Sequence, residues 1–78
     1  MDESVARQIS SAIEPLVGSV LAKVTVDLEA QRLGKNVEDI SFGDIPALSM
    51  ALEQHLVSFV GRDLAEAAAT RVREILPH

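Results

Sequence analysis

The feature that most constrains this chain is a run of apolar residues with helical period in its first half. The run covers residues 15–33, PLVGSVLAKVTVDLEAQRL. Its large apolar side chains recur at steps of three and four, which places them along one broad face of a helix. They are Leu16, Val17, Val20, Leu21, Val24 and Leu28. The sequence therefore predicts an all-α domain organised around this helix, whose apolar face needs a partner.

A second apolar stripe occupies residues 44–76. Ser41 and Asp44 can cap a helix there, and Pro46 fits in a first turn, whose amides have no intrahelical partner. Aliphatic and small side chains then recur at steps of three and four. They include Ile45, Leu48, Leu52, Leu56, Leu64, Ala68 and Val72. Gly61 interrupts this stripe, and the pattern leaves open whether it ends one helix or lies inside a longer one.

The residues before the main run predict a shorter helical segment. Asp2 and Glu3 precede Ser4, a usual order of acidic and capping residues at a helix N-terminus. Pro15 interrupts the pattern because it has no amide hydrogen and crowds the preceding turn. The apolar stripe keeps its phase across Pro15, which favours a kink over the start of a new helix. Gly18 is interpreted either as a tolerated weak position inside the helix or as a point of close helix approach.

Residues 34–43, GKNVEDISFG, form the connection between the two halves. Gly34 follows the last periodic residue, as is common where a helix stops. Val37, Ile40 and Phe42 are too apolar for a solvated loop, and we expect them to cover the open end of the bundle.

The predicted outline is an antiparallel helical hairpin with breaks near Pro15 and Gly61, made of segments 4–14, 15–33, 44–60 and 62–76. In an antiparallel hairpin these two residues lie at the same height. If the arms are continuous, each is about 45 Å long, and two chains form a four-helix bundle as a homodimer. The alternative is a compact four-helix monomer in which Pro15 and Gly61 are chain reversals.

The size of the chain bounds its stability. Its 78 residues predict one small helical domain, 1–78, and such a domain buries roughly 60 to 65% of the surface of its unfolded chain. The chain has no cysteine, so it has neither a disulfide nor a thiolate metal site. Phe42 and Phe59 are its only aromatic residues. We therefore expect an aliphatic core that self-association reinforces.

Charge and hydropathy exclude two classes of function. The net charge is −5, and the seven Lys and Arg residues are scattered among acids, so nucleic-acid binding is not expected. Residues 16–26 are the longest weakly charged window, far short of the roughly 20 apolar residues of a membrane span. The start of the chain lacks the pattern of a secretory signal, and we expect a cytoplasmic protein without membrane association.

The sequence offers little chemistry. His55 lies beside the Leu52 and Leu56 stripe with no carboxylate or second histidine three or four residues away, and is interpreted as a flanking or half-buried residue rather than a ligand. Neighbouring carboxylates such as Glu38 and Asp39 lie in polar contexts typical of solvated surface. No serine stands in a nucleophile pattern, and no glycine-rich phosphate loop occurs. We expect no enzyme activity, metal or cofactor.

Residues 33–41, LGKNVEDIS, resemble the loop after the first helix of acyl carrier proteins, and MALEQHL at residues 50–56 adds to the resemblance. Those proteins carry phosphopantetheine on the serine of an Asp-Ser-Leu motif that opens the second helix. This chain has no such tripeptide, since Ser49 follows Leu48 and precedes Met50. A carrier function is therefore not expected.

The remaining function is protein–protein interaction. The sequence predicts a non-enzymatic helical interaction or dimerisation module, of a kind that can be regulatory, which forms a homodimer or binds another protein. Its predicted interface residues are Val17, Val20, Leu21, Val24, Leu28, Leu48, Leu52 and Leu56. The alternative is a small DNA-associated, transcription-regulating helical domain in which Arg62, Arg71 and Arg73 approach phosphates.

Overall fold

The chain folds into four α-helices in a computed structural model that describes residues 4–76. They are α1 (Val5–Val17), α2 (Ser19–Arg32), α3 (Ile45–Val60) and α4 (Arg62–Arg73). Two short 3₁₀ turns, Val37–Asp39 and Phe42–Asp44, lie between α2 and α3, and no strand occurs in the described part of the chain. The predicted all-α class and four-helix bundle are confirmed. Asp2 and Glu3, predicted to precede the first helix, lie outside the described residues.

One chain supplies all four helices of the bundle. Its extents of 32, 27 and 20 Å are shorter than the arms of about 45 Å that a continuous hairpin requires. The structure thus corresponds to the compact alternative, in which the chain reverses within each half.

The first reversal is at Gly18 rather than Pro15. Gly18 has φ 89° and ψ 159°, a conformation that is essentially restricted to glycine. Its amide donates to the carbonyl oxygen of Glu14 at 2.8 Å, which ends α1, and α2 starts at the next residue. Pro15 lies inside the last turn of α1. A kink of one continuous helix at Pro15 is therefore wrong, and Gly18 is a corner rather than a weak position inside a helix.

The second reversal has the same geometry. Gly61 has φ 88° and ψ 169°, and its amide donates to the carbonyl oxygen of Val57 at 3.1 Å. Nothing lies within 4 Å of the place where a Cβ would stand at Gly18 or Gly61. Both residues are therefore required for their backbone conformation and not for space. The predicted break at Gly61 is confirmed.

The core is aliphatic, as composition predicts, and each helix contributes to it. Contact is most extensive between α3 and α4, followed by α1 with α2 and α1 with α4, whereas α2 and α3 touch least among these pairs. Alanines on α4 permit its close approach to α3. The helical core side chains are Ala6, Ile9 and Ile13 on α1, Ala22, Val26 and Ala30 on α2, Ile45, Leu48, Leu52 and Leu56 on α3, and Ala65, Ala68 and Val72 on α4.

The connection covers the bundle only in part. Ile40 is buried and Val37 is half-buried against the core, but Phe42 is 39% exposed, contrary to expectation. Asp44 fastens the end of the connection, because its carboxylate accepts from the Ser41 amide at 2.9 Å and from the Lys35 ammonium at 2.9 Å. These two donors hold the pKa of Asp44 below its usual value, the Ser41 amide more strongly.

Candidate functional site

The eight predicted interface residues separate into two sets. Leu48, Leu52 and Leu56 lie in the core of the single chain, with exposures of 1%, 0% and 0%. They are covered by the other helices of their own chain and present no surface to a second copy. Their placement in an interface is therefore corrected: the apolar stripe of α3 has its partners within the same molecule.

The other five predicted residues are on or next to α2, and all of them reach the surface. Val20, Val24 and Leu28 are 77%, 54% and 40% exposed. Leu21 is half-buried, as is Val17 at the end of α1. We define the outer face of α2 as Val20, Leu21, Val24 and Leu28, which lie within about 100° of one another at 100° per residue.

The core-facing side of α2 consists of smaller and more polar side chains than its outer face. They are Ala22, Thr25, Val26, Glu29 and Ala30, which recur at steps of three and four. Thr25 donates its hydroxyl to the Leu21 carbonyl at 2.7 Å, so burial leaves this hydroxyl satisfied. The helix therefore has two apolar stripes: Val20, Val24 and Leu28 are exposed away from the core, whereas Val26 is buried and Leu21 packs partly against the core.

Charges border the outer face of α2 unequally. On one flank the Lys23 ammonium and the Asp27 carboxylate form an i,i+4 ion pair at 3.8 Å, and their side chains are 76% and 42% exposed. The opposite flank has Leu21 and the exposed Arg32. The two flanks therefore differ in charge: one has a cation and an anion, and the other has an aliphatic side chain and a cation.

A buried acid lies on the opposite side of α2. Glu29 is 2% exposed, and its Oε2 atom is paired with Nδ1 of His55 on α3. Its Oε1 atom is 3.7 Å from the Arg32 guanidinium, which is itself largely exposed. Since α2 and α3 share the least contact of the neighbouring helices, this pair is the main polar link between them.

A carboxylate and an imidazole in contact, such as Glu29 and His55, are only part of what a catalytic or metal site needs. A carboxylate on one ring nitrogen orients an imidazole, but nucleophilic catalysis also needs a nucleophile, and a metal needs further ligands. No cluster of three or more His, Cys, Asp or Glu residues among residues 4–76 could hold a metal ion. The nearest depression, of about 260 Å³, is lined by Glu29, Arg32, Leu33, Ala47, Leu48 and Ala51 and is open to solvent.

Sequence reasoning located His55 beside the core but missed its partner. His55 is half-buried, with a side-chain exposure of 31%. The carboxylate that pairs with His55 belongs to Glu29 on α2, so the spacing of residues within α3 could not reveal this pair. The available signal was the position of Glu29, which continues the stripe of Ala22 and Val26 at steps of four and three.

The three arginines of the DNA alternative do not form one surface. Arg62 and Arg71 are nine residues apart on α4, which puts them on opposite sides of that helix and about 14 Å apart along it. Arg73 returns to the side of Arg62 at the far end. Phosphate binding requires clustered cations, and this arrangement disperses them.

None of the helices described between residues 4 and 76 combines the length and apolarity that crossing a bilayer demands. Comparisons with known protein families, with curated proteins and with solved structures find no match for this chain. Among the large apolar side chains of the described residues, Val20 on the outer face of α2 is the most exposed.

Proposed function

We propose that this chain is a non-enzymatic helical interaction module that forms a homodimer through the outer face of α2. The observation that carries this proposal is the exposure of Val20 and Val24, 77% and 54%, on a helix whose other side is already buried. Isolated apolar residues on a surface need no explanation, but a stripe of them along one helix is typical of a binding surface.

The distribution of residues between the two sides of α2 supports the proposal. A helix that stays in water on one side usually presents polar residues there and keeps its larger aliphatic residues for the core. Here a carboxylate and a hydroxyl, those of Glu29 and Thr25, are buried, while Val20, Val24 and Leu28 face outward. Covering such a face yields about 25 cal/mol for each Å² of apolar surface removed from water.

The size of the face limits the area that a contact between two copies can bury. The 14 residues of α2 are about 21 Å long, so a contact between two such helices is at the small end of stable interfaces. We therefore expect reversible association of two folded chains in the micromolar range, rather than folding that requires association.

The test compares the unmodified chain with two matched double variants in sedimentation equilibrium. The Val20→Ser/Val24→Ser variant removes apolar surface from the outer face of α2. The Met50→Ser/Val57→Ser variant does the same on α3, where both residues are exposed and lie seven positions apart on one side of the helix. We expect the unmodified chain and the α3 variant to approach twice the 8.4 kDa chain mass with rising concentration, and the α2 variant to remain at one.

Two results would contradict the proposal. One is an unmodified chain that remains a monomer up to millimolar concentration. The other is a loss of association in the α3 variant but not in the α2 variant, which would assign the contact to the exposed side chains of α3.

A further inference from the structure

The two flanks of the outer face of α2 determine how a second copy can align with it. At 100° per residue, Lys23 and Asp27 lie 100° and 60° to one side of Val24, whereas Leu21 and Arg32 lie 60° and 80° to the other side. One flank is therefore a pair of opposite charges, and the other combines an aliphatic side chain with a cation.

Antiparallel alignment brings each flank against its own counterpart. If two copies of α2 cross antiparallel about a twofold axis at Val24, Val20 of one copy is level with Leu28 of the other. Lys23 is then displaced by only two positions, about 3 Å along the axis, from Asp27 of the second copy. The contact places two cations against two carboxylates and leaves the aliphatic stripe between them.

Parallel alignment lacks this complementarity. It turns the charged flank of each copy toward the flank of Leu21 and Arg32 in the other. Lys23 and Asp27 would then face an aliphatic side chain, and no carboxylate would lie level with Arg32. The parallel arrangement thus removes charged groups from water against an aliphatic side chain without adding an ion pair between the chains, so the flanks select the antiparallel arrangement.

We propose that Lys23 and Asp27 specify an antiparallel, twofold-symmetric contact between the outer faces of α2 in two copies of this chain, with each ammonium paired to the carboxylate of the other copy. This proposal rests on the homodimer proposed above. The ion pair within one helix, 3.8 Å long and exposed, thus exchanges partners when the copies meet. Such exposed pairs add little to affinity, but they reject an incorrectly aligned or incorrectly charged partner.

The experiment uses two charge variants and their mixture. Lys23→Glu makes the flank wholly acidic, and Asp27→Lys makes it wholly basic. In the antiparallel contact each variant opposes like charges with a second copy of itself, whereas a mixed pair opposes unlike charges. We expect the mixed dimer to have a dissociation constant at least about tenfold lower than either variant alone, at low ionic strength, with the difference shrinking as salt screens the charges.

The control separates a specific contact from attraction between net charges. Glu66 is exposed on α4, and Glu66→Lys changes the net charge of −5 by two, giving −3, as Asp27→Lys does. We expect the Glu66→Lys variant to show no preference for the Lys23→Glu variant over itself. Each charge variant lacks the ion pair between residues 23 and 27 of its own helix, and mixing the variants does not restore it. A lower dissociation constant for the mixed dimer therefore reports contact between chains.

The outcomes separate the two proposals. Dimers of the unmodified chain together with random mixing of the charge variants would overturn the antiparallel contact and leave the homodimer standing. A preference that Glu66→Lys reproduces would overturn it as well, because net charge would then suffice. An unmodified chain that stays monomeric would overturn both proposals.

Discussion

The burial of Glu29 beside His55 predicts an energetic coupling between α2 and α3. Replacing His55 with Leu removes the group that satisfies Oε2 of a carboxyl group only 2% exposed. Removing one partner of a fully buried ion pair costs about 3 to 5 kcal/mol. His55 is 31% exposed, and Arg32 remains 3.7 Å from the other oxygen, so water and the guanidinium compensate in part. We expect a loss of about 1 to 3 kcal/mol in the free energy of unfolding.

A double-mutant cycle isolates this coupling. In the variant Glu29→Leu/His55→Leu the buried acid is gone, so we expect a stability within about 1 kcal/mol of the original, because apolar replacement of a buried polar pair is often neutral. His55→Gln retains an amide donor for Glu29 and should change stability little. Urea unfolding followed by the helical circular dichroism signal measures all these variants under one set of conditions.

Additive stability changes in this cycle would contradict the coupling between Glu29 and His55. If the changes in unfolding free energy of Glu29→Leu and His55→Leu add up to that of the double variant within about 0.5 kcal/mol, Glu29 and His55 do not interact in the folded chain. Gln54→Leu is the matched control, since Gln54 is exposed and next to His55 on α3. It should shift stability by no more than about 0.5 kcal/mol.

Three further predictions test the corners, the two sides of α2 and the core. Gly61→Ala should destabilise by about 1 to 3 kcal/mol because of its φ of 88°, whereas Gly43→Ala, without a positive φ, should not; thermal unfolding of the two variants checks this. In urea unfolding of dilute samples, where association is absent, Val26→Ala should lower the free energy of unfolding by about 1 to 2 kcal/mol and Val24→Ala by less than about 0.5 kcal/mol. A larger loss for Val24→Ala than for Val26→Ala would mean that α2 turns its other side to the core. Leu52→Ala should cost about 2 to 5 kcal/mol in urea unfolding, and a loss under about 0.5 would place its stripe in solvent.

The second helix shows how far periodicity predicts a structure and where it stops. Steps of three and four correctly indicated a helix across this region, but α2 has apolar side chains on two sides. Choosing the side with the larger residues selects Val20, Val24 and Leu28, which are the exposed ones. The true core side depends on Thr25, whose hydroxyl is satisfied within its own helix, and on Glu29, whose partner comes from α3. That partner is a tertiary contact, which the pattern of one segment does not contain.

The first corner shows a different limit. Pro15 and Gly18 both weaken a helix, and the sequence alone gave more weight to the proline. Pro15 removes one hydrogen bond from α1 and crowds the preceding turn, yet α1 continues to Val17. Reversing the chain requires φ of 89° with ψ of 159°, which glycine alone adopts readily. The break therefore occurs at the glycine, as it does at Gly61. In the second half no proline competes inside the stripe. The pattern leaves open whether Gly61 ends a helix, and the structure shows that it does.

The outer face of α2 depends on what holds the other side of that helix. Gly18 joins α2 to α1 by a single residue, and α2 contacts α1 more extensively than it contacts α3, so we expect the pair of Glu29 and His55 to help hold the rotation of α2 relative to α3. Glu29 lies about 140° around the helix from Val24, so keeping the acid inward keeps the valine outward. If the homodimer forms as proposed, His55→Leu should therefore weaken association as well as stability, whereas Leu52→Ala, which leaves that pair intact, should lower stability without raising the dissociation constant of the folded chains. Sedimentation at temperatures where both variants remain folded distinguishes the two effects, and an equal dissociation constant for His55→Leu and the unmodified chain would show that the pair does not orient the face.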